Sequence, residues 1–399
     1  MSRNTLSLAH RAWRLLPAAP RRALVRGATA LAAPRPDMPP PLLGAGMALL
    51  GEFSRPSGLG MGVRLVQRAM AGMGMATVTL DADVRAAELP PAGMPVLLHV
   101  NPPSLPLALL RQRRDLLRGR RVVGMWNWEL PVVPQDWGVG LRFVHEVWVT
   151  SRFTADAMAA MLPADGRIGL RVVSYPLAVA PPEPAALGRA HFGLPEDALV
   201  VLVSFNLASS FARKNPLAAV AAHRAAFGDR ADRILVLKIG HPGHFPEDFA
   251  TLRAAVTGAG NIRMETRAMA QEEAHALTAC ADIVLSLHRS EGFGLVPAEA
   301  MLLGRAVVAT GWSGNMDFMD ADCAALVPFR LVPARDPRGV LEVAGAVWAE
   351  PDIDAAAVAL RRLADDPDAR AALAARGQAH ARAVLGAGSL AAALAGLAR

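Results

Sequence analysis

The chain is poor in cysteine and almost without lysine. Only Cys280 and Cys323 occur in 399 residues, and they form no CxxC pair. A disulfide framework is therefore not what organises the fold, and a reducing cytoplasm is a natural setting. No apolar run approaches the roughly 20 residues of a membrane-spanning helix. The longest candidate, residues 41–50, reads as the approach to a first strand. No clean apolar stretch follows the first arginines, so a cleavable signal peptide is not expected. Lysine occurs only at Lys214 and Lys238, and the other 40 of the 42 basic residues are arginine. The two cations are not interchangeable where a compact ammonium must fit, so both lysines become candidates for function.

What is present begins with hydrophobic residues, 53% of the chain, enough for sizeable cores; a length of 399 makes two domains the first expectation. The net charge of +7 is unevenly placed. Residues 1–40 hold Arg3, Arg11, Arg14, Arg21, Arg22, Arg26 and Arg35 against Asp37, so the remaining 359 residues are close to neutral. A basic arm on a neutral body argues against a nucleic-acid partner held in a charged groove. The arm also carries Leu6, Leu8, Trp13, Leu15, Leu16, Leu24, Val25 and Leu31. Basic and apolar residues mixed in this way suit an amphipathic segment on an anionic membrane surface. A solvated tail and a transit peptide are the alternatives.

Residues 291–300 are the most informative stretch. Glu291 and Glu299 stand eight apart, with Gly292, Phe293, Gly294 and Leu295 after the first and Pro297 just before the second. A buried-looking strand over 281–288 precedes them. Pro297 suits a first helical position and Gly304 a C-terminal cap. Glu291 is thus expected on a loop at the carboxyl end of a strand, with Glu299 in the first turn of the next helix. In open α/β sheets that crevice is where ligands bind. Backbone N–H groups and a helix N-terminus there favour anions, and the two carboxylates can accept from hydroxyls. Together these suit a nucleotide-sugar.

This pattern resembles the E-x7-E signature of the family 4 retaining glycosyltransferases. The resemblance covers about residues 46–385 and is most specific at 291–299. It implies an α/β, GT-B fold, with two Rossmann-like domains facing a cleft. It also implies that Glu291 contacts the transferred sugar and Glu299 the ribose, while Gly292, Phe293, Gly294 and Leu295 line the loop. The residues Arg213, Lys214, Asn215 and Pro216 follow an apolar strand and open a helix. Two cations at a helix N-terminus can neutralise a leaving diphosphate. In the family such a basic pair does so without a metal, so no cofactor is expected. Lys238, at the end of the next strand, is a further candidate near the base or the phosphates. Trp312 and Asn315, on a glycine-containing loop after a later strand, are candidate sugar contacts.

The N-terminal half carries weaker signals. A strand near 46–53 leads into a glycine-rich turn with Gly58 and Gly60, then a helix over 63–70 with Arg64. Such a turn can admit a phosphate, but no acidic residue completes a dinucleotide fingerprint. Further strands are predicted at 75–80, 96–100, 122–125, 143–151 and 171–174. Trp128 and Glu129 are the candidates the family pattern suggests at the N-domain rim, and His99 reads equally well as structural. Asp81 and Asp83 form a D-x-D triplet, repeated at Asp320 and Asp322, that in another fold would hold a divalent ion. His241 and His244 read as a loop.

Residues 175–184 are proline-rich and mark a linker. After it, strands are predicted at 199–205, 234–239, 262–264, 283–287 and 306–309. Helices are predicted at 216–227, 247–257, 271–280 and beyond 355, an alternation that indicates a parallel, doubly wound sheet. The expected organisation is an arm (1–40), an acceptor-side domain (41–175), a linker (176–190), a nucleotide-sugar domain (191–385) and a C-terminal tail (386–399). The expected activity is retaining transfer of a hexose from a nucleoside diphosphate sugar to a glycan or lipid-linked acceptor in surface polysaccharide synthesis, in the cytoplasm at the inner face of the membrane. The alternatives are a sugar-nucleotide epimerase or hydrolase of the same fold and a non-catalytic nucleotide-sugar-binding protein. The segment from Trp348 to Asp352 has no role in this reading.

Overall fold

The computed structural model describes residues 18–397, so most of the basic arm's first half lies outside the described residues. Two compact units emerge. The first holds the chain up to Trp126 with Gln135–Trp148 and Leu162–Gly169; the second holds Asn127–Pro134, Val149–Met161 and everything from Leu170 on.

The first sheet holds the strands β1 (Met47–Gly51), β2 (Thr77–Asp81), β3 (Val96–His99), β4 (Val122–Trp126), β5 (Glu146–Val149) and β6 (Gly169–Val172), of which Val149 and Leu170–Val172 belong to the second unit by their contacts. Their order is β2-β1-β3-β4-β5-β6. β1 pairs in parallel with β2 and β3, and β3 with β4. Every residue of β1, β3 and β4 is buried, because strands covered on both faces read as continuous apolar runs. The chain leaves β1 for β2 on one side and returns to β3 on the other. That reversal makes a switch point at the carboxyl ends of β1 and β3. The helix Gly58–Gly72 follows β1, longer than the predicted 63–70, because Ser57 caps its first turn by accepting from the Gly60 N–H. Residues 18–32 of the arm form a helix that leaves Leu24, Val25 and Leu31 exposed.

The second unit holds β7 (Leu199–Asn206), β8 (Arg233–Gly240), β9 (Ile262–Glu265), β10 (Ile283–Ser286), β11 (Ala306–Thr310) and β12 (Ala325–Val327). Their order is β12-β11-β10-β7-β8-β9, and every neighbouring pair is parallel. Val201, Val203, Leu235, Leu237, Ile283, Leu285 and Val308 form its core with the helices Pro216–Phe227 and Ile353–Asp365. Here the chain turns back between β7 and β10, so the switch point lies at their carboxyl ends.

Two features differ from expectation. A hairpin, β13 (Phe329–Pro333) and β14 (Val347–Pro351), follows β12. Four of the five β13 residues are exposed, so no apolar alternation marked it. Residues 176–190, expected as a linker, make hydrogen bonds within the second unit: the Ala178 N–H donates to Leu385 and the Ala185 N–H to Glu272. The C-terminal helices Pro367–Val384 and Gly388–Leu397 are together long and apolar enough to cross a membrane. Their buried Leu373, Ala381, Leu390 and Leu397 are accounted for by packing onto the protein.

Candidate active site

The second unit's switch point is where the most specific sequence signals meet. After β7 the chain forms one helical turn, Phe211–Lys214, which Ser210 caps by accepting from the Arg213 N–H. Asn215 then takes a left-handed conformation (φ 50°), and Pro216 starts the next helix. This kink turns Arg213 and Lys214 toward the loop after β10. There Arg213 Nη1 stands 3.0 Å from Glu291 Oε2, and Lys214 Nζ pairs with the other carboxylate oxygen. Arg213 also donates to the Ser290 carbonyl and to Ser209 Oγ, both at 2.8 Å. Glu129 joins at longer range, 3.8 Å from Arg213 Nη2.

Arg213 and Glu291 are buried and Lys214 and Glu129 half-buried, and the electrostatics follow from that. Burial alone would raise the Glu291 carboxyl, but Lys214 and Arg213 outweigh it and hold the group at about 2. Burial lowers the Lys214 ammonium, with Glu291 opposing. Burial raises Glu129, with Arg213 opposing and the like charge of Glu291 adding. Glu291 is therefore a permanent anion at neutral pH, suited to accept hydrogen bonds and not to donate a proton.

The glycine loop is shaped by close backbone approach. A Cβ on Gly292 would stand 2.8 Å from the Trp128 carbonyl, and one on Gly314 would run into the carbonyls of Glu291 and Gly292. The Gly292 carbonyl accepts from Ser151 Oγ at 2.6 Å and Thr154 Oγ1 at 3.3 Å. Gly294 has φ 102° and precedes the helix Leu295–Leu302. The helix thus begins two residues before Pro297, and Glu299 lies in its second turn, not its first. The Phe293 ring packs in the core against Tyr175 and Phe318, with centroids 5.2 and 5.1 Å away. Only its backbone, with those of its neighbours, can serve a ligand.

Behind the loop sits a polar lock that the sequence did not announce. The Glu291 N–H donates to Ser313 Oγ at 2.8 Å. Ser313 holds a positive φ of 83°, rare for a residue with a side chain. Buried His288 lies 2.9 Å from Ser286 Oγ through Nδ1 and 3.0 Å from Asn315 Oδ1 through Nε2. Burial lowers the His288 pKa, so the ring is neutral at pH 7. Asn315, a candidate sugar contact, is fully buried, and its amide also donates to the Thr310 carbonyl at 3.1 Å. Its side chain braces the loop. Trp312 packs edge-on to Phe153 at 5.0 Å.

The side chains of several other candidates have partners outside the Arg213, Lys214 and Glu291 cluster. Glu299 faces His275, whose Nε2 is 3.6 Å away. Burial disfavours the imidazolium, but Glu299 outweighs it and the His275 pKa is raised. Lys238 donates to the Arg267 carbonyl at 3.1 Å and shares its surroundings with Glu265 and Glu273. Trp128 is buried, with Nε1 donating to the Val132 carbonyl at 2.9 Å, so its ring is no open platform for a sugar. Trp128 and Glu129, expected with the first half, belong to the second unit by their contacts.

In the first unit, the Gly60 N–H is satisfied by Ser57 Oγ at 2.9 Å. Gly58 opens the helix, and Arg64 donates to the Phe53 carbonyl at 2.9 Å. His99 is fully buried, which pushes it down to about 4. Asp81 accepts from the backbone of Ser54 and of Asp83, each at 2.8 Å. Asp83 pairs with Arg55 at 2.7 Å and Arg111 at 2.6 Å. The carboxylates of this triplet are tied into the protein. Asp320 likewise accepts from Asp322 and Cys323. The ligand atoms of Asp320, Cys323 and His380 lie within 4.8 Å of one another, and burial raises the Cys323 thiol to about 11. His241 pairs with Asn206 at 3.1 Å in the loop after β8.

Residues 217–366 match the family described as glycosyl transferases group 1. The chain is 32% identical over 215 residues to a D-inositol 3-phosphate glycosyltransferase of a Nocardioides species, a match covering 52% of this chain and 43% of that protein. A protein of the same name from Thermobispora bispora is 31% identical over 204 residues, covering 50% and 43%. The match thus spans under half the length of these relatives. Among solved structures, Anabaena HepE in complex with UDP and glucose aligns with a TM-score of 0.61 at 13% identity, over 88% of this chain and 99% of that one. Sucrose-phosphate synthase from Thermosynechococcus elongatus aligns at 0.63 and 17% identity, over 89% and 98%. At these identities the likeness establishes the fold, which is GT-B, with two parallel α/β sheets as the sequence implied.

Proposed function

We propose that this chain is a metal-independent retaining glycosyltransferase that moves a hexose from a nucleoside diphosphate sugar to a glycan or lipid-linked acceptor. The observation that carries the reading is the cluster of buried Arg213 and Glu291 with half-buried Lys214 at the carboxyl ends of β7 and β10. Curated relatives that are glycosyltransferases, and a structural neighbour solved with UDP and glucose, support the same class.

In this reading Arg213 and Lys214 neutralise the departing diphosphate. The backbone N–H groups of residues 292–295 add donors there; one such preorganised donor is worth about 3 kcal/mol in a transition state. Glu291, ionised across the working pH range, accepts from a sugar hydroxyl. A carboxyl held at about 2 is unsuited to general acid catalysis, which separates the site from a glycoside hydrolase with its raised-pKa acid. Glu299 receives the ribose hydroxyls. Retention at the anomeric carbon is expected, with the diphosphate oxygen taking the acceptor proton.

The remaining assignments extend this reading. The first unit serves the acceptor and the second the donor. The arm, with seven arginines against one aspartate in residues 1–40 and exposed Leu24, Val25 and Leu31, touches an anionic membrane from the cytoplasmic side. A lipid-linked acceptor in surface polysaccharide assembly fits that placement. Deleting residues 1–40 should abolish binding to anionic vesicles; undiminished binding would remove the membrane from the proposal.

The test of the activity is thermal stability against a panel of nucleotide-sugars and free nucleotides, with and without EDTA. One donor should stabilise the wild type regardless of EDTA and fail to stabilise Lys214→Ala and Glu299→Ala. No shift with any nucleotide would favour a non-catalytic protein. An EDTA-sensitive shift would return Asp81 and Asp83 to consideration.

A further inference from the structure

Arg289 joins the two loops that make the charged cluster and fastens both to the hairpin that follows β12. Its backbone N–H donates to the Arg213 carbonyl at 2.7 Å, and its Nη1 donates to the Ala212 carbonyl at 2.7 Å. Its other donors fork onto Glu350 of β14, Nε to Oε2 at 2.7 Å and Nη2 to Oε1 at 3.1 Å. The guanidinium lies 5.5 Å from the buried Trp348 ring. The Ala349 N–H closes the set, donating to the Arg289 carbonyl at 2.9 Å. One residue thus spends its backbone and its guanidinium on three segments: the turn carrying Arg213 and Lys214, the loop carrying Glu291, and the hairpin.

We propose that Arg289, held by Glu350 and Trp348, is a positioning residue that sets the spacing between the Arg213–Lys214 pair and Glu291 and so tunes recognition of the donor diphosphate. The proposal rests on the donor-site reading above and gives the segment from Trp348 to Asp352 a task. The physical reason is geometric. A bidentate arginine–carboxylate pair fixes a plane and a distance, which a lysine's single ammonium does not. Lys214 and Glu291 are each two residues from Ala212 or Arg289, so a loosened bracket lets the cations drift from where the second phosphate adds its charge. The catalytic groups themselves remain present, and the loss is one of alignment.

The experiment is calorimetric titration of UDP and of UMP into full-length wild type, Arg289→Lys, Glu350→Gln and Lys214→Ala, with GDP/GMP or ADP/AMP in their place if the donor panel selects that base. Arg289→Lys and Glu350→Gln should each weaken the diphosphate about tenfold while leaving the monophosphate within about twofold, the size expected for losing one bidentate charged pair. A purely structural role would weaken both ligands alike, and that result, or an unchanged diphosphate affinity, overturns the proposal. Lys214→Ala separates the two readings. If it binds the diphosphate as well as wild type, the donor site itself is wrong; if it loses the diphosphate while Glu350→Gln keeps it, only the bracket is wrong. Arg289→Lys retains the charge and removes the fork onto Glu350, so it supplies the same test should Glu350→Gln fold poorly.

Discussion

The two sheets reverse direction in the same way, between β1 and β3 in one and between β7 and β10 in the other, yet the two switch points have opposite characters. At the first, Ser57 caps the helix, Asp81 is absorbed by backbone amides, Asp83 is shared by two arginines, and His99 is buried and neutral. At the second, two cations meet a buried carboxylate, Glu291 is driven down to about 2, and Ser313 and Asn215 hold positive-φ backbones. Strained residues and shifted carboxylates gather where function is built. The same topology provides a crevice in both places. What makes one of them a candidate active site is charge kept out of water.

The largest effect that separates them should be on catalysis. Lys214→Ala should reduce the transfer rate by about 100- to 1000-fold, the scale of removing one transition-state charge stabiliser. Arg111→Ala, which breaks an ion pair at the first switch point, should leave the rate unchanged and cost at most about 1 kcal/mol, as exposed pairs do. Steady-state kinetics and urea unfolding of the two variants check this. Equal loss of activity in both would erase the distinction.

Stability should treat the two points alike. A Cβ on Gly60 would stand 2.6 Å from the Glu52 carbonyl and closer still to that of Arg55; one on Gly314 would stand 2.9 Å from the Glu291 carbonyl and closer to that of Gly292. Both obstacles are backbone, so Gly60→Ala and Gly314→Ala should each destabilise by roughly 2–3 kcal/mol, read as a shifted urea midpoint.

Acid should tell them apart again. The folded-state pKa of Glu291 lies below its ordinary 4.5, so its stabilisation is present above that pH and is lost as pH falls toward about 2. Glu291→Gln should therefore show a shallower fall in melting temperature between pH 5 and pH 3 than wild type.

The smallest effect concerns Glu299. It raises the pKa of His275, so their pairing stabilises the fold below pH 6.5 and weakens as pH rises through the raised value. Glu299→Gln should lower the His275 titration midpoint followed by NMR.

Much of the second unit was legible in the sequence because its strands are uninterrupted apolar runs and its helices carry clear punctuation. The predicted helices at 216–227 and 271–280 coincide with those observed. The Glu291 loop and the Arg213–Lys214 turn were legible because a glycine-rich strand-to-helix turn and a basic pair before a proline are local patterns. Contacts between distant segments were not. Nothing near Arg289 in the chain announces Glu350, 61 residues on. Nor does Ser313 announce that it receives the Glu291 N–H. Pro297 misled by being a good first helical residue when Gly294, free to adopt a positive φ, had already let the helix begin. Lys238 was singled out for its rarity, but its strand directs it to Glu265 and Arg267, and rarity carries no direction.

Hydrogen–deuterium exchange of the full chain with and without saturating UDP, or the nucleotide the panel selects, tests the contrast most directly. Donor recognition by the charged cluster predicts slowed exchange in residues 209–216 and 288–295, with residues 52–62 unchanged. Protection confined to residues 52–62, or none in the presence of a bound nucleotide, would contradict it.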